Sequence, residues 1–163
     1  MIQSSIFSGD LVGVFGLGKS GIATARALIA GNADVAAWDD DPIRRNEAIQ
    51  REIPIKDLYS IDWSQMRALV LSPGIPLHHP EPHKIVCLAR QNGIEILGDI
   101  ELLAREKLSS RIVAITGTNG KSTTCKIIEK ILKTEGFKVK TGGNIGNPAL
   151  PLKKAKKKNV FIL

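Results

Sequence analysis

Two strand–turn–helix units predict an α/β protein built on parallel sheets. In the first, an apolar run at 11–15 enters Gly16-Leu-Gly-Lys-Ser-Gly21, and helical spacing follows over 22–29. In the second, the apolar run 112–115 enters Thr116-Gly-Thr-Asn-Gly-Lys-Ser122, and helical spacing follows over 125–132. Between them, short apolar runs and helical stretches alternate, the pattern of a doubly wound sheet.

Taken in order, 11–15 reads as a buried strand, and Gly31 stops the helix that follows. A second strand, 33–38, ends in Asp39, Asp40 and Asp41. Strand, Gly-x-Gly-x-x-Gly, helix, strand and acid together make the dinucleotide fingerprint, so the first unit is Rossmann-like. Gly16 permits a tight turn, Gly18 lets backbone approach a phosphate, and Gly21 allows close helix–strand packing. An acid at this strand end accepts from a ribose hydroxyl or from a base N–H. Alternatively, the Asp cluster only caps the next helix, from Pro42 onward.

Residues 43–60 are expected to form a helix and then a short strand, and 62–66 a helical turn. The run 68–71 is a buried strand leading into Ser72-Pro-Gly-Ile-Pro76. Ser72 and Gly74 therefore sit at a strand's carboxyl end, where open α/β sheets bind ligands. His78, His79 and His83 follow among prolines; they lack supporting metal-ligand spacing and read as surface or helix-entry residues. A helix over 81–91, a strand over 94–97 and a helix opening at Gly98-Asp-Ile-Glu-Leu102 complete the first unit. Its predicted bounds are 1–106, with a polar linker at 105–111.

The second unit, 107–163, is expected to begin a P-loop domain. A strand, a turn and a helix N-terminus aim backbone N–H groups at one point, which suits phosphate. Lys121 adds a point charge and Ser122 a hydroxyl suited to Mg²⁺. The match to the phosphate-loop pattern is partial: Ile115 stands where a glycine is expected, and Gly117 lies three residues before Gly120. Read without a ligand, this is a polar strand-to-helix turn. A helix over 122–134, a strand over 137–140, a Gly-rich loop over 141–148 and a strand from Val160 follow. Three strands in this stretch leave a sheet with exposed apolar edges and little core, so a longer protein is expected.

The net charge of +7 is unevenly placed. Residues 1–104 carry 9 basic and 13 acidic side chains, whereas 105–163 carry 14 basic and 3 acidic, five of the former in the 153–158 lysine tract. Nucleotide, nucleic acid or plain solvation could each answer that excess. The absence of interleaved aromatics, with only Phe137 and Phe161 there, argues against nucleic acid. No 18-residue apolar run and no signal-peptide pattern occur, so neither membrane insertion nor export is expected. Cys87 and Cys125 form no redox or metal spacing and are expected to be reduced, cytoplasmic thiols.

Six motifs in order, GLGKSG at 16–21, Asp39, LSPGIP at 71–76, GDIEL at 98–102, AITGTNGKSTT at 114–124 and GGNIG at 142–146, resemble the Mur ligases of peptidoglycan synthesis, in particular their D-glutamate-adding branch. The resemblance implies that the first domain holds a UDP-sugar and not NAD. Gly18, Lys19 and Ser20 would lie by the UDP, Asp39 by the uracil, and Ser72, Pro73 and Gly74 by the diphosphate. Asn144 would face the sugar nucleotide from the second domain. Lys19 departs from the apolar residue often found at its position. Gly117, Thr118, Asn119, Gly120, Lys121, Ser122 and Thr123 would hold ATP and Mg²⁺, with Lys121 catalytic and Ser122 on the metal. The implied substrates are UDP-N-acetylmuramoyl-L-alanine, D-glutamate and ATP, and the implied state is a cytoplasmic monomer. A nicotinamide-dependent oxidoreductase and a non-catalytic nucleotide-binding module are the alternatives. By the same resemblance, the chain is expected to cover only the amino-terminal portion of such a ligase. Purified 163-residue polypeptide is therefore expected to form no amide product in an ADP-release and product assay; detecting the amide would overturn that expectation.

Overall fold

The computed structural model describes residues 4–106, 111–143, 148 and 159–163. The first sheet holds β1 (Leu11–Phe15), β2 (Asp34–Trp38), β3 (Met66–Leu71) and β4 (Glu95–Gly98) in the order β2-β1-β3-β4. Every pairing is parallel, with Phe15 opposite both Trp38 and Leu71, and Leu71 opposite Gly98. All four carboxyl ends therefore lie along one rim.

Side chains alternate across this sheet, as the period of two requires. Val12, Val14, Val35, Ala37, Ala68, Val70 and Leu97 face α1 (Lys19–Ala30) and α4 (Asp99–Arg105), which add Ile22, Leu28, Leu102 and Leu103. Phe15, Ala36, Leu69 and Leu71 face the other way, onto Ile85, Val86 and Ala89 of α3 (Lys84–Gln91) and onto Trp63. Both faces are covered, which is why the strands read as continuous apolar runs. Each large aliphatic side chain buried here stabilises the fold by roughly 1.5–3 kcal/mol.

Local signals set most boundaries. Asp41 caps α2 (Pro42–Ile49), its Oδ1 accepting from the Ile43 N–H at 2.8 Å. Asp62 does the same for a 3₁₀ turn, Trp63–Gln65. Three expectations need correction. The short strand within 43–60 is a single bridge between Ala37 and Ile55. The helix expected from residue 81 starts at Lys84, because Glu81 precedes Pro82 and is turned out of the helical region, and His83 becomes the cap. Arg105 is no linker residue: it ends α4 and pairs with Glu95 at 2.7 Å and Glu101 at 2.6 Å. The linker's residues 107–110 lie outside the described residues, as do 149–158 and residues 144–147 of the Gly-rich loop.

The second sheet orders β5 (Arg111–Val113), β7 (Asn159–Ile162) and β6 (Lys138–Thr141) as β5-β7-β6, again all parallel. β5 is shorter than the apolar run, yet the ladder continues: Leu163 N–H donates to Val113 O at 3.0 Å, and Ile115 N–H to Leu163 O at 2.8 Å. Phe161, on the central strand, is fully buried in the same cluster as Leu102 and Leu103. α5 (Lys121–Thr134) buries only Cys125, and Ile127 and Ile131 are more than half exposed. No helix among the described residues is long and apolar enough to cross a membrane.

The glycine turn yields a sharp contrast. A Cβ on Gly21 would lie 1.7 Å from the Gly16 carbonyl oxygen, whereas one on Gly18 would meet nothing within 4 Å. In urea denaturation, Gly21→Ala is expected to lose about 2 kcal/mol or more, and Gly18→Ala to stay within about 0.5 kcal/mol of the parent. Equal stabilities would contradict this packing.

Candidate functional site

The first phosphate-type turn is held by its neighbours. Gly16 has φ +90°, a conformation that side chains resist. Its carbonyl accepts from Ser72 Oγ at 2.6 Å, and its N–H donates to Trp38 O at 2.8 Å. The buried Asp39 carboxylate closes the clasp: Oδ2 accepts from the Leu17 N–H at 2.6 Å and Oδ1 from the Asp41 N–H at 2.9 Å. Arg44 reaches Oδ2 at 3.5 Å. Arg45 donates to the carbonyls of Asp39 and Asp40, and its guanidinium stacks 4.4 Å over the Trp38 ring. Asp39 and Ser72 thus spend hydrogen-bonding capacity on the turn itself. Asp41, not Asp39, is the helix cap.

Gly18 and Ser20 are half-buried where α1 begins, while Lys19, Pro73 and Gly74 are exposed. Beside them lies a cluster that the sequence did not announce. Exposed Asp40 accepts from Tyr59 Oη at 3.0 Å and meets His83 Nε2 at 3.2 Å. His83 Nδ1 accepts from the Ile85 N–H, so the ring proton sits on Nε2, toward Asp40. Burial, and then the hydrogen bond and charge of Asp40, push the Tyr59 phenol well above the usual tyrosine range. The expected helix-entry role of His83 is borne out by this cap. His78 contacts Arg90 at 3.4 Å.

In the second turn, Gly117 has φ +146° and Gly120 φ +78°, positions that only glycine occupies readily. Lys121 Nζ folds back and donates to the carbonyls of Gly117 and Thr118, spanning the loop from inside. Thr118, Asn119, Ser122 and Thr123 are exposed, and Thr124 Oγ1 bonds back to Gly120 O at 3.0 Å. The first-turn amides of α5 have no acceptor within the helix and face outward with the positive end of its dipole. Backbone N–H groups and an ammonium fit a phosphate chain; Ser122 is an oxygen ligand open to a hard cation. Asn144 lies outside the described residues.

Both turns open on one cleft of about 630 Å³ at the carboxyl ends of the two sheets. Ser20, Pro73 and Asp99 form one wall, and Gly117, Lys121 and Gly143 the other. The cleft joins Ser20 and Pro73 to Gly117 and Lys121; Lys19, Asp39, Ser72 and Gly74 do not line it. In the sequence Asp99 reads as part of a helix start and of the GDIEL motif, with no site role of its own. Its acid next to a glycine at a strand's carboxyl end was the available signal.

The Mur ligase middle domain model matches residues 115–161. Along its full length the chain is 45% identical to a protein of Bartonella henselae named UDP-N-acetylmuramoylalanine–D-glutamate ligase. It is 48% identical to the protein of that name in Rhizobium etli, and 47% to that in Caulobacter sp. strain K31. The chain spans 36–37% of the length of these relatives.

The clasp on the first turn carries an energetic expectation. Asp39→Ala would leave two backbone N–H groups without their carboxylate, at about 1–3 kcal/mol each where they stay dry. Thermal unfolding should show a clear loss of stability; an unchanged melting temperature would mean that the clasp is idle.

Proposed function

The chain belongs to the Mur ligase family, and from that premise we propose that it supplies two nucleotide sites of an ATP-dependent, D-glutamate-adding ligase acting on UDP-N-acetylmuramoyl-L-alanine. The observation that carries this reading is the shared cleft, with Ser20 and Pro73 facing Gly117 and Lys121 across it. A sugar nucleotide held on the first wall would direct its acyl end toward a triphosphate held on the second.

In this reading Gly18, Lys19 and Ser20 lie by the UDP, with Ser72, Pro73 and Gly74 at the diphosphate. Asp39 acts at the uridine end through the turn that it braces, and Asn144 approaches from the second sheet. Gly117 to Thr123 hold the triphosphate. The alanyl carboxylate attacks the γ-phosphorus and the bond to the ADP oxygen breaks, giving an acyl phosphate. The D-glutamate amine then attacks that carbonyl, loses a proton, and phosphate leaves with the C–O bond pair. Lys121 and the α5 amides offset charge on the transferring oxygens. Mg²⁺, held in part by Ser122, would supply further charge neutralisation when bound. The protein acts as a cytoplasmic monomer in this scheme. A nicotinamide site is not favoured, because it leaves the 114–124 turn without a purpose and because both oxygens of Asp39 already accept backbone N–H groups.

Trp38 adjoins Asp39 and serves as the reporter. UDP is expected to change its fluorescence and NADH to leave binding undetected; the reverse would remove the proposal. Lys121→Ala should weaken ATP binding about tenfold or more and leave the UDP response intact, and an unaltered ATP affinity would clear Lys121 of its role.

A further inference from the structure

Asp40, Tyr59 and His83 come from separate segments of the chain and meet beside the first turn. Tyr59 Oη donates to Asp40 Oδ1 at 3.0 Å, and His83 Nε2 lies 3.2 Å from Oδ2. Phe15, the residue before Gly16, packs against both rings. Its centroid is 4.8 Å from that of His83 and 6.3 Å from that of Tyr59, the latter edge-on. Backbone bonds hold the two rings in place: Asp57 Oδ1 accepts from the Tyr59 N–H at 2.9 Å, and Pro76 O from the His83 N–H at 3.0 Å. With Pro76 and Pro82, the three side chains line an open cleft of about 580 Å³.

We propose that this cluster reads the pyrimidine of the sugar nucleotide, with the Asp40 carboxylate selecting uracil over cytosine and Tyr59 and His83 holding it and supplying donors. This rests on the UDP-sugar assignment of the first turn and adds to it the side chains that face the base. Asp39, the neighbouring acid, has both carboxylate oxygens on backbone N–H groups, one of them the Leu17 N–H of the turn itself. The cluster and the turn are therefore neighbours on one rim. The Asp40 carboxylate is half-exposed, and no lysine or arginine pairs with it among the described residues. A carboxylate offers about four lone-pair sites, and Tyr59 and His83 leave part of that capacity to the cleft.

The donors and acceptors of the cluster complement one base edge. Uracil presents a carbonyl, the N3–H and a second carbonyl, in the order acceptor, donor, acceptor. The cluster presents a carboxylate with a phenol O–H and a ring N–H beside it, an acceptor with two donors. The N3–H donates to Asp40, and a neighbouring carbonyl shares the Tyr59 or His83 donor. Cytosine in the same place sets an unprotonated N3 against the carboxylate, so two acceptors face each other. Burial, and then the hydrogen bond and charge of Asp40, push the Tyr59 pKa up, so the phenol stays a donor. Water competes for these groups in an open cleft, so the discrimination is about tenfold and not the far larger ratio of a closed site.

The test is calorimetric titration of the 163-residue chain with UDP and with CDP, which share ribose and diphosphate and differ only in the base. The parent should bind UDP about tenfold tighter than CDP. Asp40→Asn places an amide donor in the cluster and should cut that ratio to about threefold or less, chiefly through lost UDP affinity. Tyr59→Phe keeps the ring beside Phe15, and His83→Asn keeps a side-chain cap on α3. Each should lower the ratio about twofold or more, which keeps the inference testable if Asp40→Asn fails to fold. A cluster that only fastens α3 to the end of β2 would move UDP and CDP affinities together. An unchanged ratio in the folded variants, or equal affinities in the parent, overturns the inference and leaves the UDP-sugar site standing. Failure of the parent chain to bind UDP overturns the site assignment and this inference with it.

Discussion

The approach of α1 to the end of β1 is the contact on which the first sheet's site depends. There is no room at Gly21 for even one methyl group, since the Gly16 carbonyl occupies that space. That same carbonyl accepts the Ser72 hydroxyl, so one oxygen ties the first turn to the loop after β3. Asp39 adds the third strand end, through the Leu17 N–H. Three carboxyl ends are therefore locked together before any ligand arrives. Preorganisation of this kind spares a ligand the entropy of ordering a loop.

The second turn is built on a different economy. Its loop is braced by a single flexible cation, Lys121, donating to two carbonyls of the loop it closes. A bound phosphate would compete for that ammonium, so the interaction that orders the turn is also the one that a ligand would exchange. The sheet below it is narrow. Its central strand buries Phe161 against the first unit's cluster, while Ile112, Ile127 and Ile131 remain exposed. Packing of this second unit is thus lopsided among the described residues: Phe161 leans on α4, and Ile127 and Ile131 of α5 stay more than half exposed.

Electrostatics in the two turns also differ in kind. Around Asp39 the negative charge is absorbed by backbone N–H groups and by Arg44. Around Asp99 no ion pair does so among the described residues, and one carboxylate oxygen accepts from the Ile100 N–H. Burial raises the Asp99 pKa above the ordinary aspartate value, and the hydrogen bond from the Ile100 N–H partly opposes it.

By itself the sequence determined the alternation of elements, the parallel class, both glycine turns and the family. Those features rest on local chemistry: apolar period, caps such as Asp41 and Asp62, and glycines at backbone angles that other residues avoid. Helix α3 starts three residues later than its apolar spacing implies, because Pro82 disfavours the helical region at Glu81 and His83 takes the cap. Long-range pairing was another matter. Only the tertiary structure decided that Asp39 faces the Leu17 N–H, that Ser72 bonds Gly16, that Asp40 gathers Tyr59 and His83, and that both turns share a cleft. Such contacts join residues far apart in the chain, and no spacing along it encodes which rim two sheets will present to each other.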